Sequence, residues 1–192
     1  MTAPRRLFVA VMLATPLASA QGQVAERYVG LTGGATLSDV SGGGVNGSSR
    51  WGGTAGLIAG TVTFDYSFVE IGPSWMQAGG EGLRLDYIDV PILIGALVPI
   101  GGRDMMFRLY GGVGIGFKLG CKTPGTTTLA CDLAKGTVWS LPVGLAFAKE
   151  LSGGKFLGVD ARYGAPLSDA FAVGGRVRPW QFRMIFGTPI GR

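Results

Sequence analysis

Side chains that do chemistry are sparse in this chain, and the ones present are oddly spaced. Histidine is absent altogether, which removes histidine general bases, Ser-His-Asp triads and imidazole metal ligands together. The run from Gly111 to Lys118 has the glycine content of a phosphate loop. Phe117, however, follows Gly116 where such a loop requires lysine, and no helical pattern comes after it. Cys121 and Cys131 are the two cysteines; they lack the further ligands of a metal site and the CxxC spacing of a redox couple. In an exported chain such a pair is expected to form a disulfide. The remaining candidates are isolated charges. Glu70, Arg108, Lys118, Asp160, Arg162 and Arg183 each sit in runs whose neighbours alternate between apolar and small residues. Asp160 and Arg162 are expected to form an ion pair rather than an acid–base pair. No catalytic residue, metal ligand or cofactor site is expected, so the chain does not read as an enzyme.

The elements that carry these charges are strands. From Trp139 to Phe147, residues 139, 141, 143, 145 and 147 are large and apolar, while Ser140, Pro142, Gly144 and Ala146 are small or polar. From Leu157 to Tyr163 the pattern repeats, with Leu157, Val159, Ala161 and Tyr163 opposing Gly158, Asp160 and Arg162. A period of two marks a strand with unlike faces, and the polar link from Lys149 to Gly154 makes the two a hairpin. Similar segments lie at about 28–37, 51–64, 68–77, 83–98, 105–119 and 179–187, giving eight. Within 83–98 the parity is expected to switch at a bulge near Tyr87–Asp89, with Arg84 and Asp86 joining the other charges. The links at 38–50, 120–134 and 165–178 are long and the others mostly short, as in barrels with long loops at one end and short turns at the other.

Composition supports export. Residues 1–20 carry Arg5 and Arg6, an apolar run from Leu7 to Leu17 and a small-residue end, Ala18-Ser19-Ala20, the form of a cleaved signal peptide. Removing it lowers the net charge from +5 to +3, and no basic cluster supports nucleic-acid binding. Residues 21–192 then form one domain. Its longest uncharged apolar run, Val90 to Gly102, is 13 residues with two prolines, too short for a membrane helix. Only 15% of residues are charged, against about 25% in soluble domains. A closed barrel is the other way to cross a bilayer.

The polar face decides which side points outward. Its commonest residue is glycine, of which the chain has 35. Glycine weakens a water-facing strand, but in an eight-stranded lumen it makes room for a few long charged side chains. Glu70, Arg108, Lys118, Asp160, Arg162 and Arg183 are therefore expected to form a lumen network. Phe107 and Phe117 lie ten residues apart on the opposite face, about 33 Å along a strand and roughly 25 Å along a tilted barrel axis, the height of a lipid-facing band. With Trp139, Phe147, Tyr163, Trp180 and Phe186 they are expected to form aromatic girdles. The expected fold is an all-β, eight-stranded antiparallel up-and-down transmembrane β-barrel. A soluble, exported, lipocalin-like barrel holding a small apolar ligand is the alternative.

Three stretches add a resemblance: LDYIDVPILIGALVPIGG at 85–102, FRLYGGVGIGFKLG at 107–120 and YVGLTGGATLSDVSG at 28–42. Together they resemble the PorT-like outer-membrane β-barrel family, most specifically in Tyr87-Ile88-Asp89-Val90-Pro91. The resemblance implies a small eight-stranded barrel in the outer membrane of a Gram-negative bacterium, bathed in its lipid. It also implies insertion by the barrel-assembly machinery, which reads a terminal aromatic; Phe186, followed by 187–192, is the residue placed for that. A structural or surface-interaction role through loops 38–50, 120–134 and 165–178 is the expected function.

Overall fold

The structure, a computed structural model, describes residues 26–42, 47–63, 66–80, 82–101, 104–123 and 129–190. The expected signal peptide lies outside them. Among the described residues nine strands follow one another with one short α-helix: β1 (Glu26–Ser41), β2 (Gly47–Val62), β3 (Ser67–Ile71), β4 (Ser74–Gly80), β5 (Leu83–Pro99), β6 (Met105–Lys122), α1 (Leu129–Leu133), β7 (Thr137–Glu150), β8 (Phe156–Pro166) and β9 (Arg176–Ile190). The strands pair antiparallel around the wall, and β1 pairs with both β2 and β9, so the sheet closes on itself.

The third expected strand is divided. β3 and β4 form one wall position, interrupted at Gly72 and Pro73, where proline has no N–H to give the ladder. The backbone there is satisfied across the gap: Leu57 N donates to the Pro73 carbonyl at 2.9 Å and Gly72 N to that of Pro91 at 3.2 Å. The barrel thus has eight staves.

Following the cross-strand register once around gives its geometry. Trp51 pairs with Leu37, then Trp180, Tyr163, Val143, Gly111, Ile94, Val69 and finally Thr61, ten residues from Trp51 along the same strand. A stagger of ten over eight staves sets a strand tilt of about 40° and a backbone radius of about 8 Å. Along this row the wall descends about 3 Å per strand from the long-loop end, so Val143 lies halfway down.

The two faces separate as the alternation requires. Outward stand Leu31, Ile94, Leu109, Val143, Val159 and Met184, with Leu31 59% and Met184 60% exposed. Inward stand Glu70, Arg108, Asp160, Arg162 and Arg183, each at most 5% exposed. An apolar exterior around a charged interior is the inverse of a soluble ligand carrier, and the lipocalin-like alternative fails on that ground.

Segment 83–98 departs from expectation. Leu83, Leu85, Tyr87, Asp89, Pro91, Leu93 and Leu97 all face inward, with no switch of parity. The irregularity lies in the partner strand: Asp86 pairs with Gly120 and Tyr87 with Lys118, leaving Leu119 as the extra residue of β6. Arg84 and Asp86 consequently face outward and pair with each other at 3.1 Å. Leucines can point inward here because the lumen changes character toward its long-loop end.

Candidate functional site

The lumen is filled in three levels, and β-strand register decides which charges meet. Nearest the short-turn end, Glu70 on β3 accepts from Arg108 Nη2 on β6 at 2.7 Å and from the Tyr28 hydroxyl on β1 at 2.8 Å. The Arg108 guanidinium lies 4.3 Å from the Phe68 ring centroid, within range of a cation–π contact. Three strands distant in sequence are thereby tied across the bore.

One level higher, Asp160 on β8 accepts from Arg183 Nε at 2.8 Å and Arg183 Nη2 at 2.6 Å. Its second oxygen accepts from the Tyr110 hydroxyl. The expected Asp160–Arg162 pair is not made. Residues two apart on one strand stand nearly 7 Å apart, whereas Asp160 and Arg183 are direct cross-strand partners. Arg162 instead donates Nε to the Tyr110 hydroxyl at 3.5 Å and lies 5.5 Å from that ring's centroid. Asp89, in the Tyr87-Ile88-Asp89-Val90-Pro91 run, is buried within electrostatic reach of Arg162 and Arg183. Its carboxylate brings the three buried arginines and three buried acids of the lumen into balance, correcting the cation excess implied by the strand pattern.

Glycine makes these levels possible at two defined points. A Cβ on Gly60 would sit 2.5 Å from the Tyr28 hydroxyl, and one on Gly144 would sit 2.5 Å from that of Tyr110. Each tyrosine lies over the glycine paired with it on the neighbouring strand, and any larger residue would displace it.

The third level is apolar. Val40, Met76, Leu83, Leu85, Tyr87 and Phe171 cluster across the bore, with Cys121 and Cys131 packed against them. The cysteines form a disulfide with Cα atoms 5.5 Å apart, joining the end of β6 to α1. Lys118, expected among the lumen ion pairs, serves the cap instead. Its Nζ donates to the carbonyls of Ala134 at 2.5 Å and Cys131 at 3.4 Å, holding the C-terminal end of α1. The 167–175 segment is tied to the same unit. Lys135 N donates to the Ala170 carbonyl and Ala172 N to that of Leu133, both at 2.8 Å, and Ala134 bridges Phe171. The described parts of two of the three expected long loops form one folded cap; residues 124–128 of the 120–134 loop and 43–46 of the 38–50 loop lie outside the described residues.

Aromatic residues mark two heights on the outer wall. Toward the short turns, Phe107 and Phe147 pack with centroids 4.9 Å apart, and Phe186 is exposed nearby on β9. Toward the cap stand Phe117 and Trp139, with Tyr163 packed on Trp180 at 4.9 Å. Trp51, 62% exposed, and Phe182 add to this side. Trp51 does not stand out in the sequence pattern, because its strand is rich in glycine and alternates weakly. Among the described residues, no group of three His, Cys, Asp or Glu side chains is placed to hold a metal. No helix among them is long and apolar enough to cross a membrane.

Comparison with known proteins agrees with this architecture. No curated protein matches the chain in sequence. Among solved structures, the outer membrane protein OprG from Pseudomonas aeruginosa is similar over 89% of this chain and 99% of its own, with a TM-score of 0.57 and 16% identity. Ail, the attachment invasion locus protein of Yersinia pestis, is similar over 84% of this chain and 99% of its own, with a TM-score of 0.44 and 12% identity. At such identities the likeness to OprG is one of fold. The sequence evidence is the match of residues 7–162 to the model of the outer membrane protein β-barrel domain. An apolar-walled, closed barrel of eight staves, with most of its sequence fitting that model, belongs to the outer membrane protein β-barrel domain family.

Proposed function

We propose that this is a non-conducting, non-catalytic surface protein of the Gram-negative outer membrane that acts through its folded cap. The observation that carries the reading is the cap itself. α1 and the 167–175 segment are joined to each other by backbone hydrogen bonds, to β6 by a disulfide and to Lys118 by capping. Such bracing gives the exposed loops one shape, as a recognition surface requires. Leu167 and Val173, 57% and 55% exposed, present apolar side chains on it. Below the cap the lumen is occupied by paired charges, leaving the outer surface as the part that meets partners.

In this reading the signal peptide at 1–20 directs export and the barrel-assembly machinery inserts the chain. The aromatic residues at the two heights lie at the lipid–water interfaces. Within the family, the run from Tyr87 to Pro91 supports a kinship with PorT-like barrels, which it resembles. Its Asp89 sits at a charged level of the lumen, a structural role for the motif's acid.

A photo-crosslinking residue introduced at Val173 tests the reading in intact cells. A discrete adduct is expected at 173, weakened by Cys121→Ser/Cys131→Ser and unaffected by Glu70→Gln in the lumen. Adducts that ignore the cap's disulfide but disappear with the lumen substitution would place the function inside the barrel instead.

A further inference from the structure

The outer wall at the cap end carries a groove that the lumen and the cap do not use. Its floor and sides are Leu37 on β1, Tyr163 on β8 and Trp180 on β9, and its upper lip is Ser38, Asp39, Ser49 and Arg178. Tyr163, Trp180 and Leu37 are consecutive partners across three strands, so the apolar part is one continuous cross-strand strip. Arg178 and Asp39 are themselves directly paired in register one pleat higher, about 5 Å further toward the cap. The groove is open to the outside and has a volume of about 450 Å³.

The stagger of the barrel fixes the height of this lip. The row through Trp180, Leu37 and Trp51 rises about 3 Å per strand, which brings Arg178 level with Trp51 at the upper aromatic boundary. Below it the wall is aliphatic and aromatic; at it, charge begins. That is the depth at which acyl chains give way to headgroups.

Both charged groups lack a partner among the described side chains. Arg178 is exposed and forms no ion pair or hydrogen bond among the described residues, although Asp39 is its register partner. Asp39 Oδ1 is enclosed by the protein and accepts no hydrogen bond. A guanidinium with its fork free is suited to a phosphate. A carboxylate beside it repels a bare anion but accepts from hydroxyl or amide N–H groups on the same ligand. The aromatic side of the groove offers flat faces to the apolar faces of a sugar ring, and the strip below accepts an acyl chain.

We propose that this groove binds the phosphorylated sugar headgroup of an outer-leaflet glycolipid, with Arg178 on the phosphate, Asp39 on sugar hydroxyl or amide donors, and Tyr163 and Trp180 against the ring. The assignment rests on the reading above that the cap end faces outward. Phosphatidylethanolamine shares the phosphate and brings an ammonium donor to Asp39, but lacks the sugar ring.

The test is lipid retention by the full-length barrel in detergent, read by native mass spectrometry. The probes are bisphosphorylated lipid A, its dephosphorylated form, phosphatidylethanolamine and inorganic phosphate. Wild type should retain lipid A about ten-fold better than the dephosphorylated form or phosphatidylethanolamine, and Arg178→Gln should lose about ten-fold, the worth of one charge-assisted hydrogen bond. Trp180→Ala, which removes the ring surface at the groove, should lower retention of lipid A and leave phosphatidylethanolamine unchanged. Arg84→Gln, on the far wall and paired to Asp86, should change nothing.

Undiminished retention by Arg178→Gln, equal retention of phosphatidylethanolamine, or full competition by inorganic phosphate would overturn the proposal. A heat-dependent gel shift, run on each variant, separates the two readings. If wild type lacks the shift, the membrane barrel itself falls and the groove's ligand with it; if the shift is present, a negative retention result overturns the groove alone.

Discussion

Replacing Asp160 by alanine isolates the middle level of the lumen. The carboxylate is 4% exposed and accepts two bonds from Arg183 and one from Tyr110. Without it, Arg183 Nε and Nη2 join Nη1, already without a partner, and a guanidinium is left buried and uncompensated. Removing one member of a buried pair costs about 3–5 kcal/mol. Asp89 remains within reach of both arginines and offsets part of this, so the lower end, about 3 kcal/mol, is expected. With a urea m-value of about 3 kcal/mol/M, the unfolding midpoint should fall by about 1 M. Tryptophan fluorescence of the folded barrel in micelles follows the transition through the outer-wall Trp139 and Trp180. Pairing Asp160→Ala with Arg183→Met should restore much of the loss, because the orphaned cation goes too. A water-filled lumen would screen the charges and cost less than about 1 kcal/mol, a midpoint shift of about 0.3 M or less. A shift that small, with no rescue in the double variant, would refute a packed charged level.

The wall and the cap give three further tests. Val143→Arg, halfway down the lipid face, should lower stability by about 2–4 kcal/mol in a bilayer refolding titration, whereas Leu167→Arg on the cap should change it by less than about 0.5 kcal/mol. Gly144→Val pushes against the Tyr110 hydroxyl and should cost about 1–3 kcal/mol by the same titration. Cys121→Ser/Cys131→Ser should cost at most about 2–3 kcal/mol, the entropy of closing a short loop. Its larger effect is expected in protease nicking of 123–136, faster in the variant while the barrel's heat-dependent gel shift persists; equal nicking rates would show that the disulfide braces nothing.

The wall was legible in the sequence because alternation is local. Trp139 to Tyr163 declares two strands and their faces without reference to the rest of the chain, and Phe107 with Phe117 gives the height of the apolar band. The identity of partners was not legible, because register is set by the closed ring. Asp160 and Arg162 are close in sequence, yet Arg183, on the next strand, takes the carboxylate. Leu83, Leu85 and Tyr87 misled for a related reason: they face inward in a cluster with Phe171, Cys121 and Cys131, loop elements that no period-two pattern announces. Lys118 has the parity of a lumen charge, but its role depends on a five-residue helix that begins eleven residues later. Tyr110 shares the inward parity of Arg108, and Tyr28 could have been found as a lumen ligand from its parity opposite to Val29 and Leu31 and from Gly60, placed to receive it.

Single-channel recording in planar bilayers tests the closed lumen most directly. Glu70–Arg108, Asp160–Arg183 and the apolar cluster beneath the cap block the bore at three successive heights, and eight staves leave an interior that side chains fill. Purified barrel inserted into the bilayer should give no stable current steps, with or without reduction of the Cys121–Cys131 disulfide, since the two charged levels remain below the cap. Stable, sizeable single-channel steps from the oxidised wild-type protein would contradict the occupied lumen and the surface role drawn from it.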